Sequence, residues 1–250
     1  MTENPRTVLV TGGASGIGAA VARAFLDRGD RVTVLDRRES SDPGVISVAG
    51  DVRSYEDNER AVTTAAPDGR LDVLIANAGV HDGGMRLLDG EVDELEARFR
   101  TLVEVNLLGY LLAARAAAPA LQRARGVIVL TLSDASFDVQ GNNAGISYVT
   151  VKHGGLGLLR ALARDLAPDV RVNAIAPGGV KTNLVAVDGE GGGRPVVSDP
   201  ERLSRSLASR TLLRRGADLE GLASAYVYFA SPEANAITGQ VLRVDGGLLP

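Results

Sequence analysis

Tyr148 and Lys152 are the residues whose types and spacing most directly suggest chemistry. They stand four apart in a stretch whose pattern predicts a helix from about Ser147 to Leu166, so both side chains lie on one helical face. A phenol has a pKa of about 10 in water, and a neighbouring ammonium lowers that pKa by favouring the phenolate. Tyr148 could then exchange a proton with an alcohol or carbonyl oxygen, and Ser133, at the end of a predicted strand, could hold the same oxygen. Without a neighbouring site, the pair would be an ordinary half-buried tyrosine beside a solvated lysine.

A glycine-rich turn supplies that neighbouring site. The stretch Thr11-Gly12-Gly13-Ala14-Ser15-Gly16-Ile17-Gly18 follows the apolar run Val8–Val10 and leads into a helical pattern. Glycines at such a turn accept positive φ, and the helix N-terminus offers free N–H groups and a positive dipole end to a pyrophosphate. Asp36 ends the next apolar run about twenty residues on, where a ribose 2′-hydroxyl is expected. We therefore predict a dinucleotide site; the alternative is an ordinary strand-to-helix turn with a solvated aspartate.

Composition excludes several other classes of protein. The chain has 250 residues, 45% of them hydrophobic, which predicts a globular fold. A net charge of −4 without a basic block argues against a nucleic-acid partner. The lack of cysteine excludes disulfides and thiol catalysis, and with only His81 and His153 we expect no metal site. We find no signal-peptide pattern and no apolar run of the eighteen or so residues that a membrane helix needs, so we expect a cytoplasmic protein without membrane contact.

Strand-like and helix-like segments alternate along the whole chain. The predicted strands are Val8–Val10, Val32–Leu35, Val45–Val48, Leu71–Ile75, Val127–Leu130, Val170–Ile175 and Gln240–Val244. Such alternation predicts parallel strands with right-handed helical crossovers, and continuously apolar strands are typical of sheets buried on both faces. The fold class is therefore α/β, a doubly wound parallel sheet (Rossmann) in a single domain, residues 1–250. A long helical pattern from about Val92 to Leu121 is expected to bend near Arg100.

Residues from Thr182 to about Asp199 show the least strand or helix pattern, and they include Gly189, Gly191, Gly192 and Gly193. A loop that long inside a compact domain is usually functional. We therefore predict a substrate lid over about residues 182–212, which is loose alone and closes over bound ligands. A plain surface loop is the alternative.

Ligands of doubly wound sheets bind at the carboxyl ends of the strands, and six chemically distinctive segments follow predicted strands here. Over essentially its full length, the chain resembles the single-domain short-chain dehydrogenase/reductase family. The resemblance is carried by Thr11–Gly18, Asp51-Val52, Asn77-Ala78-Gly79, Asn106, Ser133, Tyr148–Lys152, Pro177–Thr182 and Asp245-Gly246-Gly247.

The resemblance implies an NAD(P)-binding domain and a role for each matching residue. Tyr148 would be the general acid/base, Lys152 would lower its pKa and hold the nicotinamide ribose, and Ser133 would orient the substrate oxygen. Asn106 would support a proton-relay water near Lys152, and Asn77 would stabilise the sheet beside the cofactor. The implied cofactor contacts are Gly12, Ser15, Gly16, Ile17, Gly18, Asp36, Asp51, Val52, Asn77, Ala78, Gly79, Tyr148, Lys152, Pro177, Gly178, Val180 and Thr182.

The loop between Ser133 and Tyr148 is about two residues longer than is usual in the family. Ser136 also stands where a glycine is common. Either Ser133 or Ser136 could face the substrate, and we favour Ser133 because it directly follows the strand.

The residues around the second strand favour NAD over NADP. A carboxylate such as Asp36 accepts hydrogen bonds from ribose hydroxyls and repels a 2′-phosphate. Ser15 stands where NADP-preferring relatives often carry a basic residue. Arg37 and Arg38 could attract a phosphate, but we expect both to be solvated.

Two predicted helices suggest assembly. Leu107–Ala114 is apolar nearly all round, whereas a helix that covers one face of a sheet needs only one apolar stripe. The Tyr148 helix carries Gly154, Gly155 and Gly157, each costing up to about 1 kcal/mol relative to alanine unless close packing offsets it. Burial against another subunit explains both features, and the resemblance implies a homotetramer; packing within one chain is the alternative.

The substrate is expected to be a small uncharged molecule, because the residues predicted to line its pocket are mostly apolar. They are His81, Met85, Phe137, Val139, Asn142, Leu184 and Val185. The segments Val105–Tyr110 and Thr131–Phe137 are similar to the subgroup that oxidises cis-dihydrodiols of aromatic rings to catechols. The alternatives are a biosynthetic ketoreductase or secondary-alcohol dehydrogenase and, more remotely, a non-catalytic NAD-sensing protein on the same fold.

Overall fold

The computed structural model describes residues 5–139, 143–182, 184–187, 193–196 and 199–248. The strands in this part of the chain are β1 (Thr7–Thr11), β2 (Arg31–Asp36), β3 (Ile46–Ala49), β4 (Val73–Ala76), β5 (Val127–Thr131), β6 (Arg171–Pro177), β7 (Val185–Val187), β8 (Gly193–Pro195) and β9 (Val241–Val244). Seven of them form one parallel sheet in the order β3-β2-β1-β4-β5-β6-β9. The predicted doubly wound sheet is confirmed.

Helices cover both faces of this sheet. Their bounds are α1 (Gly16–Leu26), α2 (Tyr55–Ala65), α3 (Val92–Val103), α4 (Gly109–Ala124), α5 (Ile146–Asp165), α6 (Pro200–Arg210) and α7 (Leu219–Phe229). Helices α1 and α7 pack on one face, and α2, α4 and α5 pack on the other.

Alternate residues of each central strand enter different cores. In β5, Ile128 and Leu130 belong to the core under α2, α4 and α5, whereas Val127 and Val129 belong to the core under α1 and α7. All residues of β4 and β5 are buried. The continuous apolar runs are explained by this two-sided burial, since every side chain of a central strand needs an apolar surrounding.

The predicted bend near Arg100 is wrong in position and in kind. The chain stays helical from Val92 to Ala124, and one π-turn over Glu104–Leu108 joins α3 to α4. There the N–H of Gly109 bonds to the carbonyl of Glu104, five residues back. A π-turn adds one residue to a helical turn and often marks a functional position. Here it contains the buried Asn106.

This helical stretch, residues 92–124, is long and apolar enough by composition to cross a membrane, contrary to the expectation from the sequence. In the structure, α4 packs through its alanines and Tyr110 against α2, β4 and β5. The apolar stripe therefore belongs to the core of the domain.

The segment predicted to have no regular structure contains a short hairpin. Strands β7 and β8 pair antiparallel, with Val185 opposite Pro195 and Val187 opposite Gly193. Helix α6 then begins at Pro200, with Asp199 as its N-cap. Gly189, Gly191 and Gly192 of the predicted lid lie outside the described residues, so closure stays a prediction.

Asp82 fixes the start of α5, although it lies 63 residues before the helix N-cap. Its carboxylate is fully buried and accepts hydrogen bonds from the N–H groups of Gly145 (2.9 Å), Tyr148 (2.9 Å) and Gly84 (3.0 Å). The N-cap Gly145 has no side chain to do this, and a Cβ there would lie 2.5 Å from the Asp82 carboxylate. The orientation of α5 therefore depends on a residue of the loop after β4.

We expect Asp82→Ala to lower the free energy of unfolding by about 3 kcal/mol, because three N–H groups, two of them in buried hydrogen bonds, lose their acceptor. Asp82→Asn keeps one acceptor oxygen and should lose less. Urea unfolding followed by circular dichroism measures both. Asp218→Ala, at the exposed N-cap of α7, is the matched control and should lose about 1 kcal/mol. Equal losses at Asp82 and Asp218 would contradict a special role for Asp82.

Candidate active site

The glycine turn lies between β1 and α1, where close packing excludes side chains. Gly12 has φ of +66° and Gly16 has φ of +56°, in the left-handed region that favours glycine. A Cβ on Gly12 would lie 2.7 Å from the Cα of Ala78, and one on Gly18 would lie 2.1 Å from the carbonyl oxygen of Gly12. Ser15 is the N-cap of α1 but makes no side-chain cap hydrogen bond. The backbone N–H groups of the first turn thus remain for a ligand.

Asn77 joins the carboxyl ends of three neighbouring strands. Its amide nitrogen donates to the carbonyl oxygens of Thr11 (3.2 Å) and Gly12 (3.1 Å), and its amide oxygen accepts from the Thr131 hydroxyl (3.1 Å). The Thr11 hydroxyl in turn accepts from the N–H groups of Asn77 and Ala78. These contacts hold the ends of β1, β4 and β5 together, and the position of Asn77 beside a cofactor stays a prediction.

Asp36 ends β2 beside the glycine turn. Its carboxylate accepts from the N–H groups of Ala14 and Arg38, both at 3.1 Å. Arg38 is exposed, but its guanidinium also donates to the Ser15 hydroxyl at 3.1 Å. Arg38 is thus exposed to solvent, as expected, and it also joins the end of β2 to the glycine turn.

Asp51 and Val52 follow β3, as expected, but the carboxylate is already paired. Arg53 forms a salt bridge with Asp51 at 2.7 Å, and its hydrogen bonds hold the pKa of Asp51 below the ordinary value. Val52 is buried against α4, where a Cβ on Gly109 would lie 2.9 Å from it.

The end of β6 meets the glycine turn from the other side. Gly178 donates to the carbonyl of Val244 at 3.1 Å, directly after Pro177, which is paired with Val244 in the sheet. Val180 is buried in the core beneath α1. The side chain of Thr182 lies against Gly16, 3.5 Å from where a Cβ would stand.

Tyr148 and Lys152 are both buried on one face of α5. The ammonium nitrogen of Lys152 lies 5.6 Å from the Tyr148 ring centre and donates to the carbonyl oxygen of Thr131 at 2.9 Å and to the Tyr110 hydroxyl at 3.4 Å. Burial away from water lowers the pKa of Lys152 to about 7. The amine is therefore held close to the balance between its two protonation states at neutral pH.

The pKa of Tyr148 is raised well above its ordinary value, opposite to the expectation from the sequence. Burial is the main cause, because a phenolate would lose its hydration, and the carboxylates of Asp134 and Asp82 raise the pKa further. A hydrogen bond with Ser133 lowers it in part. The ammonium of Lys152 donates to Thr131 and lies 5.6 Å from the Tyr148 ring centre, and in this structure the effect of burial on the Tyr148 pKa is the larger one.

Ser133, and not Ser136, is the serine that contacts Tyr148. The Ser133 hydroxyl donates to a carboxylate oxygen of Asp134 at 2.7 Å. The Ser133 oxygen also accepts from the N–H of Ala135 at 3.2 Å. The Ser136 hydroxyl is buried and has no hydrogen-bond partner among the described residues.

Asn106 lies below Gly79, and its side-chain amide is paired with the backbone of Val80. Its oxygen accepts from the N–H of Val80 and its nitrogen donates to the carbonyl of Val80, both at 2.9 Å. A Cβ on Gly79 would lie 3.4 Å from the same oxygen. One amide hydrogen and one lone pair of the amide oxygen remain after these two bonds, and the predicted water relay at Asn106 stays a prediction.

The predicted pocket residues differ in how deeply they are buried. His81 and Met85 are buried, whereas Phe137 and Val139 are exposed and Leu184 and Val185 are intermediate. Asn142 lies outside the described residues. The ring of Phe137 is covered on one side by the guanidinium of Arg243, 5.3 Å from its centre.

Asp82, Tyr110 and Thr131 contribute to the site without having been found in the sequence. The carbonyl oxygen of Thr131 and the hydroxyl of Tyr110 accept hydrogen bonds from the ammonium of Lys152. The carboxylate of Asp82 accepts one from the backbone N–H of Tyr148. Only the position of Thr131 at a strand end, directly before Leu132 and Ser133, offered a signal.

Comparisons with known proteins agree with this geometry. A family model described as enoyl-(acyl carrier protein) reductase matches residues 12–249. The chain is 39% identical to a cis-2,3-dihydrobiphenyl-2,3-diol dehydrogenase of Pseudomonas putida, over 96% of this chain and 90% of the relative. It is 37% identical to a cis-1,2-dihydrobenzene-1,2-diol dehydrogenase of the same organism, with the same coverage.

Solved structures give the same result. The ligand-free aldohexose dehydrogenase of Thermoplasma acidophilum superposes with a TM-score of 0.83 at 30% identity, over 98% of this chain and 94% of that one. The shared sheet, the glycine turn and the buried tyrosine and lysine together identify the chain as a member of the short-chain dehydrogenase/reductase family, an oxidoreductase that acts on CH–OH donors.

Proposed function

We propose that this protein oxidises a cis-dihydrodiol of an aromatic ring to the corresponding catechol, with NAD as the hydride acceptor. The observation that carries the proposal is the buried group of Ser133, Tyr148 and Lys152 at the carboxyl end of β5. The relatives that cover 96% of the chain and are named as dihydrodiol dehydrogenases support this choice of substrate class.

The residues around the glycine turn fit a dinucleotide. Gly12 and Gly18 keep the backbone free of side chains, and the first turn of α1 has N–H groups for a pyrophosphate. Thr182, which lies against Gly16, would contact the nicotinamide end together with Val180. When bound, the nicotinamide accepts a hydride from the carbon that bears the reacting hydroxyl.

Tyr148 would accept the proton of that hydroxyl as the phenolate. Loss of the C–H hydride and the O–H proton leaves a carbonyl in place of the alcohol, and the resulting hydroxy-dienone becomes a catechol by moving one ring proton to the carbonyl oxygen. Because the single proton of the substrate hydroxyl goes to Tyr148, the Ser133 hydroxyl would turn from Asp134, to which it donates here, and donate its hydrogen bond to the substrate oxygen. This contact holds the reacting oxygen next to the phenol.

Lys152 would act through its charge. A protonated ammonium favours the Tyr148 phenolate and, at the same place, would bind ribose hydroxyls. Because the pKa of Lys152 is lowered to about 7, a small gain in interaction with a ligand is enough to change its protonation. The backbone next to these groups is stabilised by Asn77, which bonds to Thr131, and by Asn106 of the π-turn, which bonds to Val80.

The two-stranded hairpin supports the proposal of a lid. Strand β7 pairs through its backbone with His81, and its partner β8 is exposed. Strand β7 is thus attached to the site through His81, whereas β8 does not pack on the core. Closure over bound ligands would exclude water from the hydride transfer.

A secondary-alcohol dehydrogenase or ketoreductase is the second candidate. The likeness to an aldohexose dehydrogenase at 30% identity favours it, because the same core would serve either substrate class. The two candidates differ in whether the substrate needs a second hydroxyl beside the first.

We also propose a cytoplasmic homotetramer. Phe99, Leu108 and Leu111 of the α3–α4 stretch and Ile146 of α5 are all more than a third exposed, and large apolar side chains at these positions are typical of a subunit interface.

We expect the wild-type enzyme to form NADH from cis-1,2-dihydrobenzene-1,2-diol and NAD, and Tyr148→Phe to lower kcat by about a hundredfold or more. The variant lacks only the hydroxyl, so folding and NAD binding should survive. Ser133→Ala should lower kcat/KM more than Ser136→Ala, because only Ser133 contacts Tyr148. Near-normal turnover of Tyr148→Phe would show that another group moves the proton.

We expect kcat/KM with NAD to exceed that with NADP, since the Asp36 carboxylate would repel a 2′-phosphate. Asp36→Ala should lower the ratio of kcat/KM with NAD to kcat/KM with NADP. Arg38→Ala should raise this ratio, because it removes the guanidinium beside Ser15. Both cofactors are compared on one substrate. A wild-type preference for NADP would contradict the proposal.

Light scattering of the dilute protein should give the mass of four 26.0 kDa chains. Leu108→Glu together with Leu111→Glu should lower this mass, because two exposed apolar side chains of α4 become charged. Arg115→Glu, on the same helix, controls for a change of charge alone. A monomer mass for the wild type would refute the tetramer.

A further inference from the structure

His81 is a buried histidine whose backbone is fixed on both sides. It follows the Asn77-Ala78-Gly79 stretch, and only 2% of its surface is exposed. Its N–H donates to the carbonyl of Val185, and its carbonyl accepts from the N–H of Val187, both at 2.9 Å. The backbone of His81 is therefore held in place by β7.

The hydrogen bonds of the ring define its tautomer. The nitrogen Nδ1 accepts the N–H of Gly83 at 2.9 Å, so it carries no proton. A neutral imidazole with a free Nδ1 has its proton on Nε2. Burial lowers the pKa of His81, the carboxylate of Asp82 opposes this, and the charge of Lys152 adds to it, so the ring is neutral at physiological pH. Nε2–H is then a hydrogen-bond donor.

This donor has no acceptor among the described residues. A buried polar group without a partner is unfavourable, so a bound group that supplies the missing acceptor would be favoured. The imidazole lies against the ring of Tyr148, with 4.3 Å between the ring centres and 42° between the planes. The unpaired donor thus stands next to the group that would take the substrate proton.

We propose that Nε2–H of His81 donates a hydrogen bond to the second hydroxyl of a vicinal cis-diol, the hydroxyl that is not oxidised. The inference rests on the proposed function and deepens it. Ser133 and Tyr148 hold the first oxygen, and in a cis-diol the second oxygen is one carbon away on the same face of the ring. The Nε2–H group can donate a hydrogen bond to the second hydroxyl oxygen of a diol. It has no acceptor in a substrate that carries a hydrogen atom in place of that hydroxyl.

The consequence is selectivity for diols over single alcohols. A site that hydrogen-bonds a substrate hydroxyl discriminates against the analogue without it, because the buried donor is then left unpaired. The matched substrates are cis-cyclohex-3-ene-1,2-diol and cyclohex-2-en-1-ol, which differ only in the second hydroxyl. Catechol and phenol form the corresponding pair of product-like inhibitors.

Three substitutions separate the functions of the ring. His81→Asn keeps an acceptor near the position of Nδ1 for Gly83 but removes the donor at Nε2. His81→Gln places an amide donor at about the reach of Nε2, and His81→Phe keeps only the flat ring against Tyr148. His153→Gln is the control, because His153 is the other histidine of the chain and lies exposed on α5.

We expect His81→Asn and His81→Phe to lower kcat/KM for the diol by about 10- to 100-fold while changing that for the single alcohol less than about threefold. His81→Gln should recover part of the loss. Inhibition by catechol should weaken in the same variants, and inhibition by phenol should not. His153→Gln should resemble the wild type, and the unfolding midpoint of His81→Asn should stay close to it.

Two results would overturn the proposal, and each is distinct. If the wild type oxidises the diol and His81→Asn keeps the same ratio of diol to single alcohol, His81 does not select the second hydroxyl, whereas the proposed function stands. If the wild type oxidises single alcohols but no diol, the proposed function itself is wrong, and the inference about His81 fails with it.

Discussion

The rest of the site depends on the hydrogen bonds that the main-chain carbonyl oxygen of Thr131 accepts. It accepts the ammonium of Lys152 at 2.9 Å and the hydroxyl of Tyr110 at 2.7 Å, while the Thr131 hydroxyl contacts Asn77 and Tyr226. The described residues include no salt bridge to Lys152, so its charge is held by neutral oxygens only. Such partners leave a large part of the desolvation penalty in place, which explains a lysine that titrates near neutrality.

Most of the fold follows from local patterns in the sequence. The continuous apolar strands and the glycine turn predict the parallel sheet, because two-sided burial and positive φ leave few other choices of residue. The β7–β8 hairpin was not predictable in this way. Strand β8 is the exposed triplet Gly193–Pro195, whose residues have no strand pattern and owe their conformation to pairing with β7. The helical bend was misplaced because a π-turn has no strong sequence signal.

The site, like the fold, contains some features that local sequence patterns predict and others that depend on residues far apart in the chain. The placement of Tyr148 and Lys152 on one face of α5, and of Ser133 after β5, was predictable from residue type and spacing, whereas the roles of these residues stay predictions. Asp82 and Tyr110 were not, because each acts on a partner more than forty residues away, through a backbone N–H or a lysine side chain. The pKa of Tyr148 also escaped prediction, since pair spacing gives the sign of a charge interaction but not the depth of burial that outweighs it.

The loop after β4 is tied at three successive residues to three different elements. Val80 bonds to Asn106 in the π-turn, His81 to β7 and Asp82 to the start of α5. One inserted or deleted residue between Gly79 and Gly83 would put all three out of register together. Relatives that share these ties must therefore diverge in substrate by exchanging side chains on a constant backbone, and a designer who wants a different substrate should vary residue types in this loop while leaving its length alone.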